Sequence, residues 1–455
     1  MDTTNNSISS SQFQNKLDAE IHHDTDESQH LQSLLKIITN SFSKEKENVL
    51  LRKKWIYKNT CCVLDFYYRG VKFAFDFTPK DNHLIDLSFV IRKRNTSASG
   101  GTTHEPLCLS NTLEECLLIA KSKLNEVITQ TDINTPFDVT VVVPVYNREK
   151  LILGCIESLN NQTLDKSKFE IVFVDDYSKD KTVSAIDYHI QKDVNYRIIR
   201  RNVGSGNAST PRNEGIKAAQ GRYIFFLDSD DRIDEKLLEN GLLIAEKNDS
   251  DIVYFKIVAD GDREVPLRPF KNKIVDKADI TEHHLMRSLT VFKFFKLSML
   301  KQHNILFNPQ ITVAEDKIFM VHALTAANTV SILADRDYHT LCFHGDDHLS
   351  RRKFPLGDRF FILNTVLTNI YFCDKPESEK RKLYNGWLVI CLEMTEKLCK
   401  KLGRNNERLI SFFTMLSSSF SLYSSYIDEE MIYEKQKKFI TAFMGNDIHA
   451  FCDLV

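Results

Sequence analysis

No stretch of this sequence is long and apolar enough to cross a bilayer. Its longest apolar runs, VTVVVPV and YIFFL, have the length of β-strands, far below the roughly 18 residues a spanning helix needs. The first residues, MDTTNNSISSSQFQNKLDAE, lack a basic segment followed by an apolar one, so no secretory signal is expected. Together these absences predict a cytoplasmic protein that meets any membrane-linked acceptor peripherally, at the inner face of the membrane. The 10 cysteines include no C-x-x-C pair and no zinc spacing, which predicts reduced, mostly buried thiols. Charge of one sign is also missing: 60 basic against 62 acidic residues leave a formal net charge of -2. That argues against nucleic acid as a partner and leaves room only for local basic patches. A G-x-G-x-x-G fingerprint is absent, as is a GK[ST] phosphate loop. No repeat of fixed period occurs.

What is present suffices for several cores. Apolar residues make up 42% of 455, a length that suggests two to four domains. Residues 1–30 are Ser/Asn/Asp-rich and aperiodic, which predicts disorder. Residues 31–130 read as a small α+β domain. It would hold a helix from Leu31, strands in WIYKNTCCVLDFYYRGVKFAFDFT and LIDLSFVIRKR, a loop at TSASGGTTHEP, and a helix in LEECLLIAKSKLNEVI. TDINTPFD looks like a linker. Over 137–350 buried strands (VTVVVPVYN, FEIVFVDD, YRIIR, RYIFFLD) alternate with helical stretches at short intervals. That alternation predicts a mostly parallel α/β sheet with helices on both faces, whose ligands bind at the carboxyl ends of the strands. Residues 354–455 predict an all-helical C-terminal domain.

The polar residues at those strand ends carry the chemistry. Asp175 and Asp176 close FEIVFVDD, and Asp176 could accept from the imide N–H of a uracil or cap the following helix. In NVGSGNASTPRNEG, Gly204 and Gly206 permit close backbone approach. Asn207 offers an amide there, and Arg212 a fork for phosphate oxygens; an ordinary loop and helix start is the plainer alternative. FFLDSDDR places Asp228, Asp230 and Asp231 at a buried strand end, a costly arrangement without a cation. A D-x-D element suits Mn²⁺ or Mg²⁺ held by few carboxylates plus substrate phosphates. In TVAEDKIF, Glu315 and Asp316 precede a helical stretch, as a general base or as charge favoured by the helix dipole. In CFHGDDHLSRRK, His344 and His348 are possible ligands. Arg351, Arg352 and Lys353 could hold a phosphate-bearing partner or be merely solvated.

TVVVPVYN, FEIVFVDDYSKD, SGNASTPRNEGIKAAQGRYIFFLDSDD and VAED, in that order, resemble the family 2 glycosyltransferases of GT-A fold. SGNASTPRN is similar to the wall teichoic acid enzymes that place N-acetylglucosamine on poly(ribitol phosphate). The resemblance covers 137–350; residues 1–130 lie outside it, and the helical tail is similar in size and placement. It implies an inverting, metal-dependent transfer from a UDP-sugar to a hydroxyl of a polyol-phosphate glycopolymer. On that resemblance Pro144 and Tyr146 line the base pocket and Asp176 holds the uracil. Asn207 and Arg212 contact the ribose, diphosphate or sugar, and Asp228 faces the nucleotide. Asp230 is the main metal ligand, with His348 completing the site. Asp316 is the catalytic base, with Glu315 beside it, and Arg351 and Arg352 stand toward the acceptor. The resemblance also implies a homo-oligomer, a trimer formed through the helical tail. The alternatives are a capsule, lipopolysaccharide or exopolysaccharide glycosyltransferase with another acceptor, or a non-catalytic protein that binds nucleotide or glycan.

Overall fold

The computed structural model describes residues 35–36, 38–39, 50–57, 61–68, 71–80, 85–92, 102–110, 113–261, 264–311, 313–343 and 356–455. The expectations for residues 1–30 and for His344, His348, Arg351, Arg352 and Lys353 fall outside these residues. The chain forms two compact units, Met1–Thr135 and Pro136–Val455. Among the described residues no helix is long and apolar enough to cross a membrane.

The first unit is an antiparallel meander of β1 (Leu50–Tyr57), β2 (Cys61–Tyr68), β3 (Val71–Pro79), β4 (Ile85–Arg92) and β5 (Thr102–Ser110), followed by helix α1 (Leu113–Asn134). Period-2 alternation puts Phe73, Phe75 and Phe77 on one face of β3. Cys116, Ala120 and Leu124, four apart on α1, pack with them, as do Leu35 and Ile38. One expectation is corrected. Thr102–Pro106 belong to β5 and not to a loop. Pro106 pairs with Ser88 where the register shifts between Leu87 and Ser88, and β5 lies at the sheet's edge. An edge strand tolerates a residue that cannot donate to the ladder.

The second unit is built on an eight-stranded sheet. Its first half comes from β6 (Phe137–Val145), β7 (Phe169–Asp175), β8 (Asn195–Arg200) and β9 (Gly221–Phe226), all parallel. Helices α2 (Ile152–Asn160), α3 (Thr182–His189) and α4 (Ser209–Ala218) connect them. Every residue of β7 and β9 is buried, as expected for strands covered on both faces. A Cβ on Gly215 of α4 would stand 2.3 Å from Cγ1 of Val142 on β6, so only glycine lets α4 lie this close to the sheet.

Further along are β10 (Arg232–Ile233), α5 (Leu237–Asn248), β11 (Ile252–Phe255), β12 (Ile257–Ala259), β13 (Ile274–Val275) and β14 (Lys293–Lys296). They are followed by α6 (Leu297–Gln302), α7 (Glu315–Ala326), β15 (Val330–Leu333) and β16 (His339–Leu341). The sheet order is β13-β15-β11-β14-β9-β6-β7-β8. β14 runs antiparallel to both its neighbours, β9 and β11, so β11 and β15 still point the same way as β6–β9. Six carboxyl ends therefore share one edge. β10, β16 and β12 form a small separate sheet.

Five helices close the chain: α8 (Leu356–Phe372), α9 (Glu377–Leu402), α10 (Glu407–Ser421), α11 (Glu434–Met444) and α12 (Ile448–Asp453). Ile362, Val366, Leu388, Phe413 and Phe443 from them join the same hydrophobic core as the sheet. The expectation that all thiols are reduced is corrected at one place. Cys399 of α9 and Cys452 of α12 form a disulfide with their Cα atoms 6.1 Å apart; α12 brings Cys452 beside α9, a proximity that a sequence separation of 53 residues hides.

Candidate active site

β6 ends at Val145, and the chain then turns through Tyr146 and Asn147, the latter at φ 50°. Pro144 is half-buried and Tyr146 is 50% exposed at this carboxyl edge. Asn147 bridges to the β7 turn: its Oδ1 accepts from the Lys179 N–H at 2.8 Å, and its own N–H donates to Ser178 Oγ at 3.0 Å. The ends of β6 and β7 are thus joined into one wall.

Asp176 does not cap α3. The N–H of Thr182, the first residue of α3, donates to Asp180 Oδ1 at 3.0 Å. The buried Asp176 carboxylate instead accepts from Ser205 N (2.9 Å), Ser205 Oγ (2.9 Å) and Gly206 N (3.3 Å), and it pairs with Arg201. It holds the glycine loop in place, with Gly206 at φ 72°. Asn207 splits its amide: Oδ1 accepts from Thr210 N at 2.9 Å in the first turn of α4, and Nδ2 donates to Pro309 O at 3.3 Å. Asn213 makes a reciprocal pair with Phe307, donating to its carbonyl and accepting from its N–H, both at 2.8 Å. These bonds fasten α4 to the segment that leads into α7.

That fastening explains the centre of the site. Arg212 is buried, and its guanidinium is shared by three carboxylates from distant parts of the chain. Nη2 donates to Asp228 Oδ1 at 2.8 Å; Nη1 donates to Glu315 Oε1 at 3.0 Å and to Asp316 Oδ1 at 3.1 Å. Phe307 stacks behind it, 5.3 Å from the guanidinium carbon to the ring centre. Burial pulls the Arg212 pKa down, but Asp228, Asp316 and Glu315 more than reverse this and hold it firmly charged.

Asp316 is the second residue of α7, just past Ala314, whose φ of 65° turns the chain into the helix. Burial raises its pKa to about 7; Arg212 opposes the rise, and Glu315 and Asp228 add to it. A second buried cation, Lys293 of β14, also favours its charged form. Lys293 donates to Thr290 O at 2.6 Å, and burial lowers its own pKa to about 7 against the pull of Asp316.

The D-x-D carboxylates divide their work. Asp231, although inside the acidic run, is spent on structure: it accepts from Cys342 N at 3.0 Å and meets His339 Nε2 at 2.9 Å. Asp230 keeps a side-chain exposure of 20%, with Arg148 Nε 3.9 Å away. Burial raises its pKa, and Asp228 and Asp231 raise it further. A carboxylate crowded by like charge is one that a divalent cation would stabilise. The donor set therefore fits a hard ion held by one or two aspartates, with phosphate oxygens completing its shell.

The structure thus brings Asp228, Glu315, Asp316 and Arg212 together, with Asp230 in the same turn as Asp228. Asn207 lies one loop away, and Pro144, Tyr146 and Asp176 line the same sheet edge. Arg148, Arg201, Ser205, Lys293 and Phe307 were not anticipated. Arg201 directly follows the end of β8 and Arg148 stands three residues past the end of β6, positions that mark them in retrospect. Lys293 interrupts the apolar run VFKFF, an anomaly that its strand could have signalled.

The family model Glycosyl transferase family 2 matches residues 140–312. A poly(ribitol-phosphate) beta-glucosyltransferase of Bacillus spizizenii is 34% identical over 282 residues, 62% of this chain and 44% of that protein. The poly(ribitol-phosphate) beta-N-acetylglucosaminyltransferase TarP of Staphylococcus aureus is 33% identical over 238 residues, 51% of this chain and 72% of TarP. In structure, S. aureus TarS 1-349 in complex with UDP-GlcNAc superimposes with a TM-score of 0.62 at 23% identity, over 70% of this chain and 90% of that one. The chain thus spans less than half of the Bacillus relative and most of TarP.

Proposed function

Because this chain belongs to glycosyl transferase family 2, we propose that it transfers a sugar, N-acetylglucosamine or another hexose, from a UDP-sugar to a hydroxyl of a polyol-phosphate polymer, with inversion. The observation that carries the reading is the convergence of Asp228, Glu315 and Asp316 on Arg212 at the carboxyl edge of a parallel sheet. Relatives named for poly(ribitol-phosphate) substrates support this acceptor over a capsule or lipopolysaccharide chain.

In this reading the base rests against Pro144 and Tyr146, and Asp176 shapes its pocket by holding the Ser205–Gly206 turn. Asn207 and Arg212 face the ribose and diphosphate. Asp230, with Asp228 beside it, would hold Mn²⁺ or Mg²⁺, which supplies positive charge against the leaving diphosphate. Arg212 adds fixed positive charge on the same side and needs no reorganisation to do so. An acceptor hydroxyl ionises far above pH 7, so it needs a base within hydrogen-bond reach as it attacks. Asp316 takes that proton, and a pKa near the working pH suits a group that must both accept and release it. The C1–O bond to the diphosphate breaks as the C1–O bond to the acceptor forms on the opposite face, and the diphosphate departs with the electron pair. No covalent enzyme intermediate is required.

Asp230→Ala is expected to weaken UDP-sugar binding in Mn²⁺ about ten-fold or more, the effect of losing a charge-assisted ligand. In chelator the variant and the unaltered protein should bind alike. Calorimetry giving equal affinities for the two proteins with Mn²⁺ present would remove Asp230 from the metal role.

A further inference from the structure

Away from the carboxylates, several cations gather on one phenol. The guanidinium carbon of Arg268 lies 4.2 Å from the ring centre of Tyr433, and that of Arg287 lies 5.0 Å away. The Tyr433 hydroxyl is 2.9 Å from Nδ1 of His284. Glu393 neutralises Arg287 through contacts of 2.6 and 2.5 Å and also meets Lys435 at 3.3 Å. Arg268 and Lys271 have no carboxylate within ion-pair distance among the described residues. His284 registers the excess: burial lowers its pKa, and Arg268, Lys271, Arg287 and His283 lower it further. Like charges held this close repel one another, and an arriving anion would relieve that repulsion.

The topology says where this patch stands. Ile274 of β13 pairs with Leu333, the last residue of β15. The segment carrying Arg268 and Lys271 therefore enters β13 from the carboxyl edge, the edge that also holds Asp228 and Asp230. From β9 to β13 the sheet crosses β14, β11 and β15. Four steps of about 4.8 Å put the start of β13, and with it the segment carrying Lys271, roughly 20 Å along the edge from the D-x-D turn. A single acceptor unit at Asp316 cannot span that distance, whereas a polymer with phosphates along its length can.

We infer that Arg268 and Lys271, backed by Arg287 and the Tyr433–His284 pair, bind a phosphodiester of the acceptor polymer several repeats from the hydroxyl under attack. This inference rests on the polyol-phosphate acceptor reading above. Lys271 is exposed and Arg268 half-buried, so replacing them leaves the core intact.

The test is binding of fluorescent poly(ribitol phosphate), as a two-unit piece and as a long chain, by anisotropy. The full-length protein is compared with its Arg268→Gln/Lys271→Gln variant. The long chain should bind the variant about ten-fold more weakly, from the loss of two charged contacts, and with a shallower loss of affinity as salt is added. The two-unit piece should bind both proteins equally. Unchanged long-chain binding, an equal loss for both lengths, or no long-chain binding by the unaltered protein would each overturn the inference. UDP-sugar turnover by the unaltered protein on the two-unit piece is read in parallel. Its absence would defeat the transferase reading and leave the anisotropy result to be judged on its own.

Discussion

Asp316→Asn is expected to cut sugar transfer by about 10²–10⁴-fold, the range typical when a general base is lost, while UDP-sugar affinity stays within a few-fold. The substitution preserves shape and leaves Arg212 its contacts with Asp228 and Glu315. Only the group that takes the proton disappears. The same assignment fixes a pH limb. With the pKa of Asp316 raised to about 7, the competent carboxylate is depleted as pH falls, so kcat/KM of the unaltered protein should drop toward ten-fold per pH unit below about 7. kcat/KM reports the free enzyme, the state in which that pKa applies. The Asn variant should lack this limb. Steady-state rates from pH 5 to 9 on both proteins decide the matter, and a variant with ordinary turnover would take the base role away from Asp316.

Arg212→Gln should have the second large effect, and on stability as well as on rate. The guanidinium is 4% exposed and serves three carboxylates. Removing one partner of a buried charge network costs roughly 3–5 kcal/mol, or a melting temperature lower by roughly 10 °C. The loss should depend on pH. Arg212 holds the Asp316 pKa down; without it, the folded-state pKa rises further above about 7 while the unfolded value stays near the ordinary carboxylate value of about 4. Between those limits the folded variant binds a proton that the unfolded chain has released, so its stability falls as pH rises through that window. The gap between the two proteins in chemical denaturation should be wider at pH 8.5 than at pH 5.5. A gap that does not change with pH would mean the carboxylates do not depend on Arg212.

Much of the frame was legible because it is local. Runs such as FEIVFVDD and RYIFFLD announce buried strands, and the aspartates stand where those runs stop. The second half of the sheet was not legible. β11, β14 and β15 have four residues each, too few for a period to show, and β14 enters the sheet antiparallel. Arg212 looked like a phosphate ligand in its own loop. Its engagement with Glu315 and Asp316 spans about a hundred positions and depends on Asn213 gripping Phe307, a link with no local signature. Asp176 shows the same limit: its place at a strand end offered a uracil contact or a helix cap, while the bonds of its carboxylate to Ser205 and Gly206, about thirty positions on, had no local signature. β5 was hidden by its proline and by its polar start.

The hydrophobic interior of the second unit runs without a break from the strands into α8–α11. The helices are therefore not an appendage that could loosen while the catalytic layer stays whole. Heat or denaturant should take residues 136–455 apart in one step. A cavity opened at Phe413, in the middle of α10, would be felt at Asp316 as a shorter lifetime of the assembled site, although no atom of α10 need approach a sugar.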